Sequence, residues 1–221
     1  MAPPPTRESL ASRKLSPHRS GRNWTKADIF LWEETGRRLA IKDYARRPAW
    51  VRATLGRWMI RRECAAYERL RGIPGIPAFA GQIDACAFAV ELIEGRDLSR
   101  IPRAELPANF FPRLLALLEA VHRAGVAHGD LHHRDVILSS TGGPFLVDFS
   151  TAVFRRGAAR GLFEAACASD RRAALKLKSR HAPGDVTAEE RRALDHPPRW
   201  YRVGKALRRM LSGGAKKRAA R

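Results

Sequence analysis

Two aspartates, Asp130 and Asp148, stand 18 residues apart, with two short apolar runs between them. The runs are Val136-Ile-Leu138 and Phe145-Leu-Val147, separated by Ser139-Ser-Thr-Gly-Gly-Pro144. Two short strands around a Gly- and Pro-containing turn form a hairpin. A hairpin folds its ends back on each other, so both carboxylates are expected at one site. Such a pair suits phosphoryl transfer: one acid takes the proton of an acceptor hydroxyl, and the other holds a divalent metal on the phosphates.

The elements upstream and downstream can be read from apolar periodicity. Residues 1–22 are rich in Pro, Ser and Arg without periodicity and read as a flexible leader. Ile29–Trp32 and Leu39–Lys42 read as strands joined at Thr35-Gly36. Val51, Leu55, Trp58, Met59, Ala66, Tyr67 and Leu70 recur at helical spacing, and Gly72-Ile-Pro-Gly-Ile-Pro77 ends that helix. Phe79–Ile83 and Cys86–Ile93 form a second strand pair, and Glu94-Gly95 marks a break. Beyond it Phe110–Ala124 is an amphipathic helix closed by Gly125. Helices follow over roughly 160–180, 187–195 and 199–211, the second opened by the capping box Thr187…Glu190. Strands and one helix followed mostly by helices define an α+β chain.

The segment His128-Gly-Asp-Leu-His-His-Arg-Asp135, followed by Asp148-Phe149-Ser150, resembles the catalytic loop and metal-binding Asp-Phe-Gly motif of the protein-kinase superfamily. His-Gly-Asp-Leu and a short helical part resemble more closely the atypical Rio-type kinases and the bacterial lipopolysaccharide-core sugar kinases. The resemblance implies a bilobal fold with a small β-rich N-lobe and a shortened helical C-lobe. It implies Asp130 as catalytic base and Asp148 as metal ligand, with His128 in the structural histidine position. Leu39-Ala-Ile-Lys42 resembles the strand whose lysine pairs the α- and β-phosphates. Lys42 sits on an otherwise apolar strand and needs an anionic partner. Glu63 in the following helix is the candidate and Glu68 its competitor. Five residues apart, the two point about 140° from each other on a helix. Backbone near Glu91 and Ile93 is expected to meet adenine. The units implied are 1–22 leader, 23–94 N-lobe, 95–211 C-lobe and 212–221 basic tail, with ATP and Mg2+ as cofactors.

The sequence also departs from the family pattern. No G-x-G-x-x-G is present, the family's metal-binding Asn is replaced by Asp135, and Ser150 stands where the motif has glycine. An aspartate still offers magnesium a hard oxygen ligand. No Ala-Pro-Glu follows the metal motif, and about 70 residues remain after it, too few for a long activation segment and a full peptide platform. His132 and His133 are adjacent and lack a third ligand at zinc spacing. Cys64, Cys86 and Cys167 lie far apart and read as free thiols in a reducing compartment.

The net charge is +20, unevenly placed. Residues 151–221 carry 19 basic and 6 acidic residues, whereas 29–150 carry 17 and 14. A basic C-terminal third attracts an anionic membrane surface or RNA. No run of 18 apolar residues is present and the N-terminus lacks a signal-peptide core, so a cytoplasmic protein, peripheral at the inner membrane face, is expected. The function implied is an ATP- and Mg2+-dependent kinase. Its acceptor is a hydroxyl on a protein, as for a Ser/Thr protein kinase, or on a glycolipid, as for a lipopolysaccharide-core sugar kinase. The alternative is a pseudokinase or nucleic-acid-binding module that keeps the fold without turnover.

Overall fold

Alternation along one strand organises the N-terminal part. In the computed structural model, which describes residues 4–12, 16–19, 26–34, 36–157 and 160–196, strand β3 (Arg37–Asp43) is central. Leu39 and Ile41 point to one face and Ala40 and Lys42 to the other, as the two-residue period of a strand requires. Five strands form an antiparallel sheet in the order β1-β2-β3-β5-β4, with β1 Ser16–Arg19, β2 Asp28–Glu34, β4 Phe79–Asp84 and β5 Ala87–Glu91. The register pairs Lys42 with Ile29 on one side and Phe88 on the other.

The helical connection from β3 to β4 begins as α2 (Ala49–Val51), widens into a π-turn at Arg52–Gly56, and continues as α3 (Arg57–Arg69). Ile60, Glu63, Cys64 and Tyr67 face inward on α3. Trp58, expected on that apolar face, is instead 54% exposed: nine residues before Tyr67, it lies about 180° round α3 from that buried residue.

Next come β6 (Gly95–Asp97), α4 (Phe110–Arg123), β7 (Val126–Ala127), β8 (Val136–Ser139), β9 (Pro144–Leu146), β10 (Val153–Phe154), α5 (Arg160–His181) and α6 (Ala188–Asp195). The hairpin read between Asp130 and Asp148 is β8–β9. Chain direction does change at Gly95, but the residue also belongs to β6, which pairs with β8. A Cβ there would strike the Leu138 carbonyl. Thr187 and Glu190 form the expected reciprocal capping box of α6. The expected helix over 199–211 and the basic tail lie outside the described residues.

One apolar cluster joins Tyr67, Phe79 and Phe88 of the sheet region to Leu114 and Leu118 of α4 and Leu177 of α5. A second, on the opposite face of the sheet, gathers Leu10, Phe30, Trp32, Leu39, Ile41, Ala80 and Ala89.

Leu10 belongs to the segment read as a flexible leader, so that expectation is corrected. Residues Arg7–Ala11 form helix α1, capped by Thr6, and β1 is the edge strand of the sheet. Arg7 supplies the anchor, reaching Asp43 and Asp84, each at 2.5 Å. A five-residue helix has no stability of its own. Its order comes from burying Leu10 and from the two carboxylates at the sheet edge, which periodicity within residues 1–22 could not reveal. Leu10→Ala is expected to lower unfolding free energy by about 2–3 kcal/mol in urea denaturation. An unchanged midpoint would show that the segment is not part of the cooperative fold.

Candidate active site

Lys42 extends from the face of β3 opposite the Leu10 cluster. Its Nζ lies 2.6 Å from Glu63 Oε2 and 2.9 Å from Asp148 Oδ1. Glu63 is 1% exposed and enters from the inner face of α3. Glu68 points outward and pairs with Arg71. The structure thus brings together Lys42, Glu63 and Asp148 from three segments distant in the chain.

The charges explain each group's behaviour. Burial disfavours the Lys42 ammonium, but Asp148 and Glu63 outweigh it and hold its pKa well above the ordinary lysine value. Burial likewise opposes ionisation of Asp148. The Lys42 ammonium, the Ser150 hydroxyl and His128 override it, and the carboxylate stays well below its usual range. Glu63 is the most enclosed of the three, and burial pushes it up to about 7 against the pull of Lys42. One ammonium therefore serves two carboxylates, and the cost falls on the drier one.

Asp148 adopts φ 67° and ψ 68°, the left-handed region, and no other non-glycine described residue has positive φ. That conformation costs a non-glycine residue about 1–2 kcal/mol. The next residue fixes it: Phe149 is fully buried, with its ring 5.4 Å from Tyr67 and 5.1 Å from His128. Tyr67 lies one helical turn beyond Glu63, so the residue that clamps Phe149 and the one that binds Lys42 share a helix face.

The loop carrying Asp130 is tied to the loop carrying Asp148. Strands β7 and β10 pair Ala127 with Val153, and Thr151 Oγ1 donates to the His128 carbonyl at 2.9 Å. Gly129 has φ 86°, and a Cβ there would run into the Thr151 carbonyl. That close approach explains glycine between His128 and Asp130. His128 is buried, with Nε2 3.0 Å from the Val147 carbonyl. The Asp130 side chain is 42% exposed, and its carbonyl lies 2.8 Å from His132 Nδ1. Asp135 Oδ2 accepts from the His132 amide at 2.9 Å, and its carbonyl accepts from Val147 N–H, next to Asp148. Burial and the neighbouring Asp148 raise Asp135 to about 6, against the pull of His128.

No set of three His, Cys, Asp or Glu side chains that could hold a metal occurs among the described residues. Asp148 and Asp135 nonetheless fit magnesium, which takes one or two carboxylates and completes its shell with water and substrate phosphate. The surplus of negative charge around one ammonium fits a divalent cation as well.

Glu91 ends β5, paired with Leu39, and Ile93 lies two residues beyond it. The Glu91 and Leu92 amides donate to the carbonyls of Ala78 and Arg38, and the Ile93 amide takes no part in that ladder among the described residues. A cavity of about 490 Å³ touches Glu91–Glu94, but it also touches Leu39 and Ala80 and so opens on the sheet face away from Lys42.

Asp170 of α5 escapes a motif-based reading. It is 1% exposed and accepts from His128 N–H at 2.7 Å and Gly129 N–H at 2.9 Å, with His122 Nε2 at 3.2 Å. A signal was present: Asp170 falls in the apolar register Phe163, Cys167, Ala174, Leu177, where a carboxylate has to find partners.

The fold is protein-kinase-like and of the Rio type. It is similar to the crystal structure of Rio2 kinase from Chaetomium thermophilum, with TM-score 0.62 and 17% identity over 90% of this chain and 65% of that one. It is likewise similar to the complex of that kinase with ADP/Mg2+ and phosphoaspartate, with TM-score 0.61, 17% identity, and 90% and 64% coverage. The chain thus spans about 65% of the length of the Rio2 chain it resembles. No family model matches the sequence.

Asp170→Ala leaves the buried His128 amide and the half-buried Gly129 amide without their partner beside Asp130. The expected loss is about 3–5 kcal/mol in chemical denaturation, and a loss under 1 kcal/mol would show that the loop finds other partners.

Proposed function

We propose that this chain is an ATP- and Mg2+-dependent phosphotransferase of the protein-kinase-like type. The observation that carries this is the single ammonium of Lys42 held between Glu63 and Asp148. Three charged groups gathered from separate segments in a largely dry site are costly to keep, and phosphate chemistry gives them a use. The Rio2 structure with ADP/Mg2+ and phosphoaspartate supports the same ligands here.

In this reading Lys42, oriented by Glu63, binds the α- and β-phosphates. Asp148 and Asp135 hold the magnesium, which when bound neutralises charge on the transferring phosphates. Asp130, partly exposed on a loop fixed from behind by Asp170, takes the proton of the attacking hydroxyl. The Ile93 amide and the Glu91 carbonyl meet the adenine. The acceptor is a hydroxyl of a protein or of a glycolipid.

Nucleotide binding and transfer are separable. Wild type is expected to show a Mg2+-dependent thermal shift with ATP, and Asp148→Asn is expected to lose it. Asp130→Asn is expected to keep the shift while lowering radiolabelled phosphate transfer to protein or glycolipid fractions by about 10²–10⁴-fold. A shift without any transfer in wild type, to either fraction, would favour the pseudokinase reading. An Asp130→Asn variant as active as wild type would remove the base assignment.

A further inference from the structure

The outer face of the helix that carries Glu63 bears a second, unrelated constellation. Arg62, Arg69 and Arg156 all approach the ring of Phe154, with guanidinium carbons 5.8, 5.0 and 5.7 Å from its centroid. Phe154 belongs to β10, which follows the Asp148 loop, so the cluster bridges α3 and that segment. Three like charges around one ring repel each other. Burial and the neighbouring Arg156 depress Arg62. Among the described residues none of the three forms an ion pair with a carboxylate. Glu63 is committed inward to Lys42 and Glu68 sideways to Arg71. Arg62 Nε is buried and has no hydrogen-bond partner among the described residues. Such a cluster lacks an anion with several acceptor oxygens, and a phosphate group matches guanidinium geometry.

A pair of exposed indoles continues the same stripe. Trp58 is 54% exposed, and Arg62, one turn on, lies 4.9 Å from its ring. Trp50 is 58% exposed. Eight α-helical steps would set Trp50 and Trp58 about 80° apart. The π-turn at Arg52–Gly56 between them accommodates one extra residue, so the eight steps act as seven and the indoles align within about 20°. Exposed Arg57 and Arg61 flank them. Large exposed indoles beside cations on one helix face are the pattern of a segment lying at a lipid headgroup layer.

We propose that the stripe Trp50, Trp58, Arg62 and Arg69, completed by Arg156, docks on an anionic phospholipid surface. A lipid phosphate sits among the three guanidiniums, and the two indoles lie at headgroup depth. A free phosphate would need the arginines and leave the indoles unexplained. RNA would use the indoles as stacking platforms, but Arg62 already covers one face of Trp58. Apart from Arg156, the site lies outside the basic C-terminal region to which composition points, and it does not depend on the kinase reading.

The test is co-sedimentation of the full chain with vesicles of phosphatidylcholine alone or with about one-third phosphatidylglycerol, the latter also in brominated form. Expected are binding to the anionic vesicles only and quenching of tryptophan emission that weakens in Trp58→Phe. The triple variant Arg62→Ala/Arg69→Ala/Arg156→Ala is expected to bind on the order of a hundredfold more weakly. A charge-matched variant at exposed sites elsewhere, Arg180→Ala/Arg191→Ala/Arg192→Ala, is expected to change binding less than threefold. Equal losses in both triple variants would reduce the effect to net charge and overturn the proposal. So would unchanged quenching in Trp58→Phe. A thermal shift with inorganic phosphate but no vesicle binding would assign the arginines to a soluble anion, and RNA binding lost in the triple variant without vesicle binding would assign them to nucleic acid; either result overturns the lipid surface.

Discussion

A lysine ammonium enclosed between strand and helix, with a carboxylate on either side, ties the rest of the structure together. Lys42 is only 16% exposed at its side chain, and Glu63 and Asp148 are the groups that make its charge tolerable there. Removing either partner of a buried pair costs about 3–5 kcal/mol, because the remaining charge stays dry. Three conditions therefore have to hold together: β3 must present Lys42 away from Leu39, α3 must present Glu63 inward, and the Asp148 turn must remain left-handed. The aromatic contacts serve the third condition. Tyr67 and His128 hold Phe149 from two sides, and the strained residue before it cannot relax without unpacking both.

The loop carrying Asp130 is built differently, by satisfying backbone groups. Asp170 takes two amides at the head of the loop, Thr151 caps the His128 carbonyl, and Asp135 closes the far end through His132 and Val147. Asp130 itself is left comparatively open, between segments fixed on both sides. In the proposed reaction that combination leaves Asp130 accessible to an incoming hydroxyl while the loop keeps its aim.

Much of this was legible because the relevant signals are local. The hairpin between Asp130 and Asp148 shows as two apolar runs around a Gly-Gly-Pro turn. Helical angle shows that only one of Glu63 and Glu68 can face the strand, and Gly125 and the Thr187 capping box announce helix ends. What stayed hidden depends on contacts far along the chain. The first eleven residues hold no periodic pattern, and Leu10 and Arg7 acquire meaning only against Ile41, Asp43 and Asp84. Trp58, about 180° round α3 from Tyr67, shows that a loose run of apolar residues does not define one helix face. A single π-turn moves everything before it by one residue, and nothing in Arg52-Ala-Thr-Leu-Gly56 states that in isolation. Asp170 lay within reach, since an acid in an apolar stripe is an anomaly, but its role needed the partners.

Asp135 illustrates why charge has to be counted over the whole site. Taken alone, an aspartate where protein kinases have asparagine looks like a loss, since in the proposed site it would bring a further negative charge toward the phosphates. In the structure Asp135 gives one oxygen to the His132 amide, and burial together with Asp148 raises its pKa to about 6. Glu63 is raised further still. Near neutral pH the site therefore carries less negative charge than its residue list suggests. A divalent cation would restore the full charge of these carboxylates as it binds, because adding positive charge favours their ionised forms. In the proposed metal site, metal affinity and carboxylate ionisation form one coupled equilibrium, to which Asp135 would add a negative charge that asparagine lacks.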